Sequence, residues 1–185
     1  MVLCYHRVLF LNQNACKTKI KGKYLYITLV KDLSNDIMVK IRQNKGVSNV
    51  ELLKTMEEKI TYVETLTSLA TANEKITESQ KLVVYNIAAN YGVPEQYVER
   101  IWDKVKRKYK TEDVLAPMGN VDENIKLALI QELVMIFLVS GKYKQEKSHL
   151  IEICQLLKIN IKLEAIKDHV QKLLAESQKA QGKSN

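Results

Sequence analysis

The amino-acid sequence predicts a mostly α-helical protein: a six-helix bundle made of two repeated three-helix units, with a small β element at its N-terminus. Three observations lead to this prediction. Apolar residues recur at three-to-four-residue spacing through most of residues 48–176. Helix start and stop signals interrupt that spacing at short intervals. The whole pattern also occurs twice, in residues 66–102 and 132–170, as expected of an internal repeat.

The two copies have the same order of parts: an apolar helix end, a polar break, an amphipathic helix, a brief stop and a third helix. Val83 corresponds to Leu150 and Val84 to Ile151, both at an offset of 67 residues, with a one-residue slip after Asn90. We therefore expect each copy to form three helices and the two copies to share one hydrophobic core.

Several short motifs predict where these helices begin and end. Ser48–Glu51 and Thr77–Gln80 both fit a capping box, in which a hydroxyl and an acid or amide side chain satisfy free backbone N–H groups. Gly92 is placed to end one helix in the left-handed conformation, and Gly141 is placed to end another. The stretch from Thr111 to Val121, which contains proline and glycine, is predicted to be the longest loop and to join the two copies.

The N-terminal part of the chain differs from the rest in pattern and in charge. β-branched and aromatic runs at Val8–Leu11 and Tyr24–Val30 predict short strands. Residues 1–47 carry nine basic and two acidic side chains, a net charge of +7, whereas the remaining residues carry +1. The predicted organisation is a basic segment at 1–47, a helical domain at 48–176 and a disordered tail at 177–185. Such an asymmetry indicates an anionic partner.

Two clusters of cations are the candidate anion-binding residues. Alternate residues of an extended chain point to one face, so the lysines of residues 17–23 would line one side of a strand. That arrangement suits an anionic membrane surface or a nucleic acid. The alternative reading is a charged edge strand that prevents aggregation, and cations at a helix end also complement the helix dipole. The candidates are Lys17, Lys19, Lys21, Lys23, Lys106, Arg107 and Lys108.

Composition and missing motifs predict a protein without catalytic activity. The hydrophobic fraction of 46% and charged fraction of 27% are those of a soluble globular protein. The three cysteines are few and odd in number, which favours a reducing cytoplasmic location, and Cys154 is predicted to be a thiol packed in the core. There is no glycine-rich phosphate loop, nucleophile elbow or His-Glu-x-x-His run. Since the inward positions are nearly all apolar, we expect no cofactor and no small-molecule substrate.

The histidines do not predict a metal site. Cys4, His6 and Cys16 offer three zinc ligands, but a structural zinc site needs four. His149 and His169 each lie alone on a predicted helix, without an acidic or cysteine partner at ligand spacing. We predict both to be surface or boundary residues.

The repeated helix–break–helix–stop–helix unit, over about residues 50–175, resembles the TerB-like fold. That fold occurs in tellurite-resistance proteins and in the N-terminal domain of membrane-anchored J-domain co-chaperones. In this family each break carries an Ala-Asp-Gly-x-Ile/Val motif with a glutamate four residues after the hydrophobic position, and these acids are associated with a divalent metal. The resemblance implies that residues 72–76 (ANEKI) and 139–143 (VSGKY) are the corresponding breaks.

The chain departs from the family at the acidic positions. Asn73 and Ser140 stand at the aspartate positions, and Gln80 and Lys147 stand at the glutamate positions. Hard cations require several charged oxygens, so we expect that the metal site has been lost.

The sequence thus predicts a non-enzymatic interaction or scaffold module, for which the resemblance implies a role in stress response. We expect a groove in the helical body to bind a protein partner and the basic N-terminus to dock on an anionic surface. Two alternatives stay open at this point. One is a helical protein whose main role is to bind nucleic acid, and the other is a metal-binding stress protein of the tellurite-resistance type.

Overall fold

The computed structural model describes residues 53–72, 76–105 and 110–181. Several sequence predictions lie outside these residues. They comprise the strands and the lysine row of residues 1–47, the candidate zinc ligands Cys4, His6 and Cys16, the cations Lys106, Arg107 and Lys108, and Asn73 of the first break.

Within the described residues the protein is mostly helical, as predicted, and contains no strand. A short 3-10 helix (Ala116–Met118) follows the fourth of the α-helices. The α-helices of the described part are α1 (Met56–Thr71), α2 (Glu78–Asn90), α3 (Glu95–Val105), α4 (Thr111–Leu115), α5 (Glu123–Val139), α6 (Tyr143–Leu156) and α7 (Leu163–Gln181).

Three predicted helix boundaries are confirmed. Thr77 and Gln80 form the capping box at the start of α2: the Gln80 backbone N–H donates to Thr77 Oγ1 (3.2 Å), and the Thr77 N–H donates to Gln80 Oε1 (2.9 Å). Gly92 and Gly141 follow α2 and α5 with φ of 73° and 72°. This is the left-handed region, which glycine adopts without steric cost.

The helix that carries Met56, Ile60 and Val63 starts later than predicted. The predicted capping box at Ser48–Glu51 lies outside the described residues, but residues 53–55 are not helical and α1 begins at Met56. Thr55 is the N-cap: its Oγ1 accepts the Glu58 N–H (3.1 Å), and Glu58 Oε2 accepts the Thr55 N–H (2.9 Å). This Thr-x-x-Glu pattern is a capping box directly before the apolar stripe, and its two hydrogen bonds fix the start of α1.

The predicted loop between Thr111 and Val121 is also wrong, because α4 and the 3-10 helix occupy most of it. Acidic side chains in the first turn of α4 stabilise the helix, because they lie near the positive end of its dipole. Leu115 and Met118 are buried, and α4 packs against both α1 and α6. Burial of these two apolar side chains gives a five-residue helix the tertiary support that it needs.

α5 is the central helix of the fold. It packs against α1 and α2, which precede it in the sequence, and against α6 and α7, which follow it. α1 also packs against α2 and α3. The helices share one core of aliphatic and aromatic side chains. Its largest fully buried members are Tyr62, Leu66, Leu69, Ile87, Ile101, Leu129, Ile130, Leu133, Met135, Ile136 and Phe137.

α7 is longer than predicted. The sequence predicts an end at Glu176 and a disordered tail at 177–185, whereas the helix continues to Gln181; residues 182–185 lie outside the described part. Residues 177–181 (SQKAQ) contain no glycine or proline and include good helix formers, so their composition favours continuation of the helix.

Candidate functional site

A surface groove of about 520 Å³ lies between the start of α1 and the turn that leads into α5. We call it the α1–α5 groove. Leu53, Met118 and Ile125 line it with buried apolar side chains. The residues just before α1 and those between α4 and α5 therefore line the groove together. The sequence predicted a helix for the first of these segments and a loop for most of the second. The groove is open to solvent, and its lining mixes these apolar side chains with polar and charged ones.

The edge of the groove is acidic. Three carboxylates, Glu57, Glu58 and Asp122, line it together with one ammonium group, that of Lys54. Hydrogen bonds from the backbone N–H groups of Thr55 and Lys54 lower the pKa of the Glu58 carboxyl, and Asp122 accepts an N–H at the start of α5. Glu58 and Asp122 are thus fixed by helix capping, and Glu57 is exposed. This edge would attract a cationic side chain.

Two of the positions that the TerB-like resemblance singles out have structural hydrogen bonds. Gln80 is buried in the capping box of α2, and its Nε2 donates to the Ala70 carbonyl at the end of α1 (3.5 Å). Ser140 is the C-cap of α5, and its Oγ donates to the Phe137 carbonyl (3.2 Å). Both side chains therefore hold the ends of helices at the two breaks.

The third of these positions, Lys147, belongs to an ion-pair network that joins α6 to α7. Lys147 Nζ donates to Glu164 Oε1 (2.7 Å), and Lys167 Nζ donates to Glu164 Oε2 (3.0 Å). Hydrogen bonds from these two lysines lower the pKa of the Glu164 carboxyl to about 2. Lys167 also lies over the Tyr143 ring, 5.8 Å from its centroid. Across the described residues, no three or more His, Cys, Asp or Glu side chains are grouped so that they could hold a metal ion.

A buried carboxyl group was missed by the sequence analysis. Glu132 of α5 is 3% exposed, so the expectation of an almost wholly apolar interior is wrong at this point. Tyr62 Oη donates to Glu132 Oε2 (2.8 Å), and Tyr91 Oη donates to Oε1 (3.3 Å). Leu129 and Ile136, three residues before and four after, are inward-facing, and this helical spacing was the signal that places Glu132 inside. Burial raises the pKa of Glu132 to about 8.

The prediction for His149 is wrong, and that for His169 is confirmed. His169 lies at the boundary, half-buried. His149 is only 7% exposed, and its Nδ1 lies 3.6 Å from Glu146 Oε2, with no hydrogen bond to either ring nitrogen. Leu150 and Ile153 on the same helix are also buried, so His149 lies on the part of α6 that packs against the core. Cys154 is buried as predicted, and burial raises the pKa of its thiol.

The sequence and fold were also compared with known proteins. No family model, no curated protein and no solved structure matches the chain. None of the helices in the described ranges combines the length and the apolar character that crossing a membrane requires.

Proposed function

We propose that this chain is a non-enzymatic helical interaction module of the TerB-like kind. Its α1–α5 groove binds a segment of a protein partner, and its basic residues 1–47 dock on an anionic membrane surface. The observation that carries the proposal is the separation of charge: +7 in the first 47 residues against +1 in the rest. In the sequence, the first residue of the groove lining, Leu53, follows soon after the basic segment ends.

As part of this proposal, α1–α2–α3 and α5–α6–α7 are duplicated units. The hydrogen bonds that end α2 and α6 support it. The Val93 N–H donates to the Ala88 carbonyl (2.8 Å), and the Ile159 N–H donates to the Cys154 carbonyl (2.9 Å). Both bonds span five residues, the pattern of a Schellman motif. In this view α4 is an addition within the linker between the units.

The lining of the groove defines the chemistry of the protein partner. The apolar floor favours an aliphatic or aromatic anchor, and the acidic edge favours a lysine or arginine beside it. The expected partner segment therefore has a basic residue next to an apolar one. A segment with acidic residues in those positions would be repelled by Glu57.

Charge-reversal variants of the full chain test both surfaces. Phosphatidylcholine vesicles with and without phosphatidylserine report the N-terminal arm. We expect reversal of Lys17, Lys19, Lys21 and Lys23 to glutamate to weaken binding to the anionic vesicles at least about tenfold. Reversal of four exposed body lysines (Lys110, Lys144, Lys162 and Lys172) is the matched control and should weaken it less. If the two lysine reversals weaken vesicle binding equally, residues 1–47 are not the membrane-docking surface. Tighter binding of the unaltered chain to nucleic acid than to anionic vesicles would contradict membrane docking as well.

For the groove, short basic–apolar and acidic–apolar peptides are titrated while backbone amide resonances are followed. The basic peptide should shift the amides of Leu53 and Ile125, and Glu57→Lys should weaken its binding. Glu152→Lys is the same change at an exposed site on α6, away from the groove, and should leave binding unaltered. If the basic and acidic peptides shift the same resonances equally, the assigned partner chemistry is wrong.

A further inference from the structure

Three polar side chains meet inside the core at the junction of three elements. Glu132 comes from the middle of α5, Tyr62 from α1, and Tyr91 from the residue that ends α2. Tyr62 is fully buried, Tyr91 is 8% exposed, and their ring centroids are 4.9 Å apart. We call these three residues the Glu132 cluster. It lies where α5 packs against α1 and α2.

The number of hydrogen-bond donors in the cluster depends on the protonation of Glu132. The neutral acid has one O–H group and each phenol has one, so three donors face three acceptor groups. Both phenols direct their single O–H group at the carboxyl, Tyr62 to Oε2 and Tyr91 to Oε1, so the cluster places Glu132 between two donors from α1 and from the end of α2. The ionised form has lost one donor and holds a net negative charge away from water, at a high cost in free energy.

No cation of the described residues acts on that charge. The titratable groups that act on the Glu132 carboxyl, among the described residues, are Tyr62 of α1 and Tyr91 at the end of α2. α6 and α7 also pack against α5 but contribute none. The buried titratable groups of α6, Glu146 and His149, form a separate pair.

We propose that the Glu132 cluster is a proton-dependent lock that joins α1 and α2 to α5, closed while the Glu132 carboxyl is neutral and weakened when it ionises. Nothing in the groove or in the basic segment enters this inference, so it is independent of the proposed function. Its consequence is that the tightness of this junction follows the proton concentration.

The direction of the pH effect follows from burial. The pKa of Glu132 is raised in the folded protein from an ordinary 4.5 to about 8. Stability from the neutral carboxyl is therefore fully present below pH 4.5 and is lost as the pH rises towards 8 and beyond. Inside this window the unfolded chain releases a proton that the folded chain keeps, so the unfolding equilibrium constant rises by up to about tenfold per pH unit.

The test compares the full chain with its Glu132→Gln variant by urea denaturation across that window. The glutamine amide resembles the neutral acid in shape and cannot ionise. We expect the stability of the unaltered protein to fall relative to that of the variant as the pH rises from 4.5 to 8. Glu164→Gln, the same change at an exposed carboxyl, should keep the pH dependence of the unaltered protein over this range. Parallel curves for the unaltered chain and Glu132→Gln would overturn the proposal.

A second measurement needs no variant and applies if Glu132→Gln does not fold. Infrared spectra of the unaltered protein, labelled with ¹³C-carboxyl glutamate, distinguish a neutral carboxylic acid from a carboxylate. We expect an acid band at neutral pH that disappears above about pH 8, together with faster hydrogen exchange at the ends of α1 and α2. A spectrum with carboxylate bands alone at neutral pH would show that the lock does not exist.

Discussion

The first three helices and the last three are held together by different chemistry. Between α2 and α3 the contact is aromatic: the rings of Tyr85 and Trp102 lie 6.3 Å apart, and the Tyr85 hydroxyl donates to Glu99. Between α6 and α7 the contact includes the ion pair of Lys147 with Glu164, and Glu164 also pairs with Lys167 of its own helix. Both triplets place a second helix near a third, yet one relies on ring packing and the other adds exposed charges.

This difference shows that the helix order does not dictate the type of contact. Ring packing depends on buried area and is little affected by salt, whereas exposed ion pairs are weakened by salt and by low pH. Substitutions should therefore have large effects where polar groups are buried with partners and small effects at the exposed network.

The largest difference is expected between two buried tyrosines, Tyr62 in the first triplet and Tyr143 in the second. Tyr62→Phe removes a donor from the buried Glu132 carboxyl and should cost about 1–3 kcal/mol. The Tyr143 hydroxyl is buried without a hydrogen-bond partner in the described structure. Tyr143→Phe should therefore be neutral or stabilising, because it removes an unsatisfied polar group. Urea denaturation of both variants measures this, and equal costs would show that the Glu132 contact contributes nothing specific.

A smaller effect is expected at the ends of the second helices. Gly92, just after the C-cap of α2, has φ of 73°, and Lys158, just after the C-cap of α6, has φ of 58°. A side chain pays roughly 1–2 kcal/mol in this region. A Cβ atom on Gly92 would meet no atom within 4 Å, so the cost of Gly92→Ala is that of the backbone alone. We expect Gly92→Ala to destabilise by about 1 kcal/mol and Lys158→Gly to stabilise by up to about the same amount.

Gly92→Ala should lower the stability and Lys158→Gly should raise it, because both residues occupy the left-handed region that glycine adopts without cost. Thermal denaturation of the two single variants and of the double variant measures both effects. The double variant should be close to the original protein in stability, since the sites are independent. Destabilisation by Lys158→Gly would mean that the lysine side chain contributes more than its backbone costs.

What the sequence could predict was the part controlled by local chemistry. The capping box at Thr77 and the glycine stops at Gly92 and Gly141 depend on neighbouring residues, and each was found where it was predicted. The start of α1 was missed because the sequence contains two capping-box patterns, at Ser48–Glu51 and Thr55–Glu58, and local pattern alone does not rank them. The left-handed turn at Lys158 has no sequence signal, since lysine is not a residue that favours positive φ.

The groove and the Glu132 cluster depend on contacts between distant residues. Tyr62 and Glu132 are separated by 70 positions, so no local pattern connects them. Helical spacing placed Glu132 among inward positions, but only the packing of α1 and α2 on α5 supplies the two phenols that make a carboxyl tolerable there. The groove likewise joins Leu53 to Ile125 across the fold.

The smallest effect is expected at the exposed network of α6 and α7. The pKa of Glu164 is lowered to about 2 from an ordinary 4.5, so its contribution to stability is present above pH 4.5 and is lost as the pH falls towards 2. The side chains of Lys147 and Glu164 are 46% and 50% exposed, so solvent and salt screen the pair. Glu164→Gln should destabilise the protein slightly at neutral pH and low salt, and this loss should vanish at high salt and at low pH.

Denaturation curves at low and high salt, with Glu152→Gln as the exposed control on α6, measure this effect. A Glu164→Gln loss that persists in high salt would mean that the α6–α7 contact depends on hydrogen bonding to the carboxylate rather than on its charge. The first three helices and the last three would then depend on more similar contacts. A hydrogen bond to the exposed Glu164 carboxylate would stabilise the fold in the same way as the hydrogen bond from the buried Tyr62 hydroxyl.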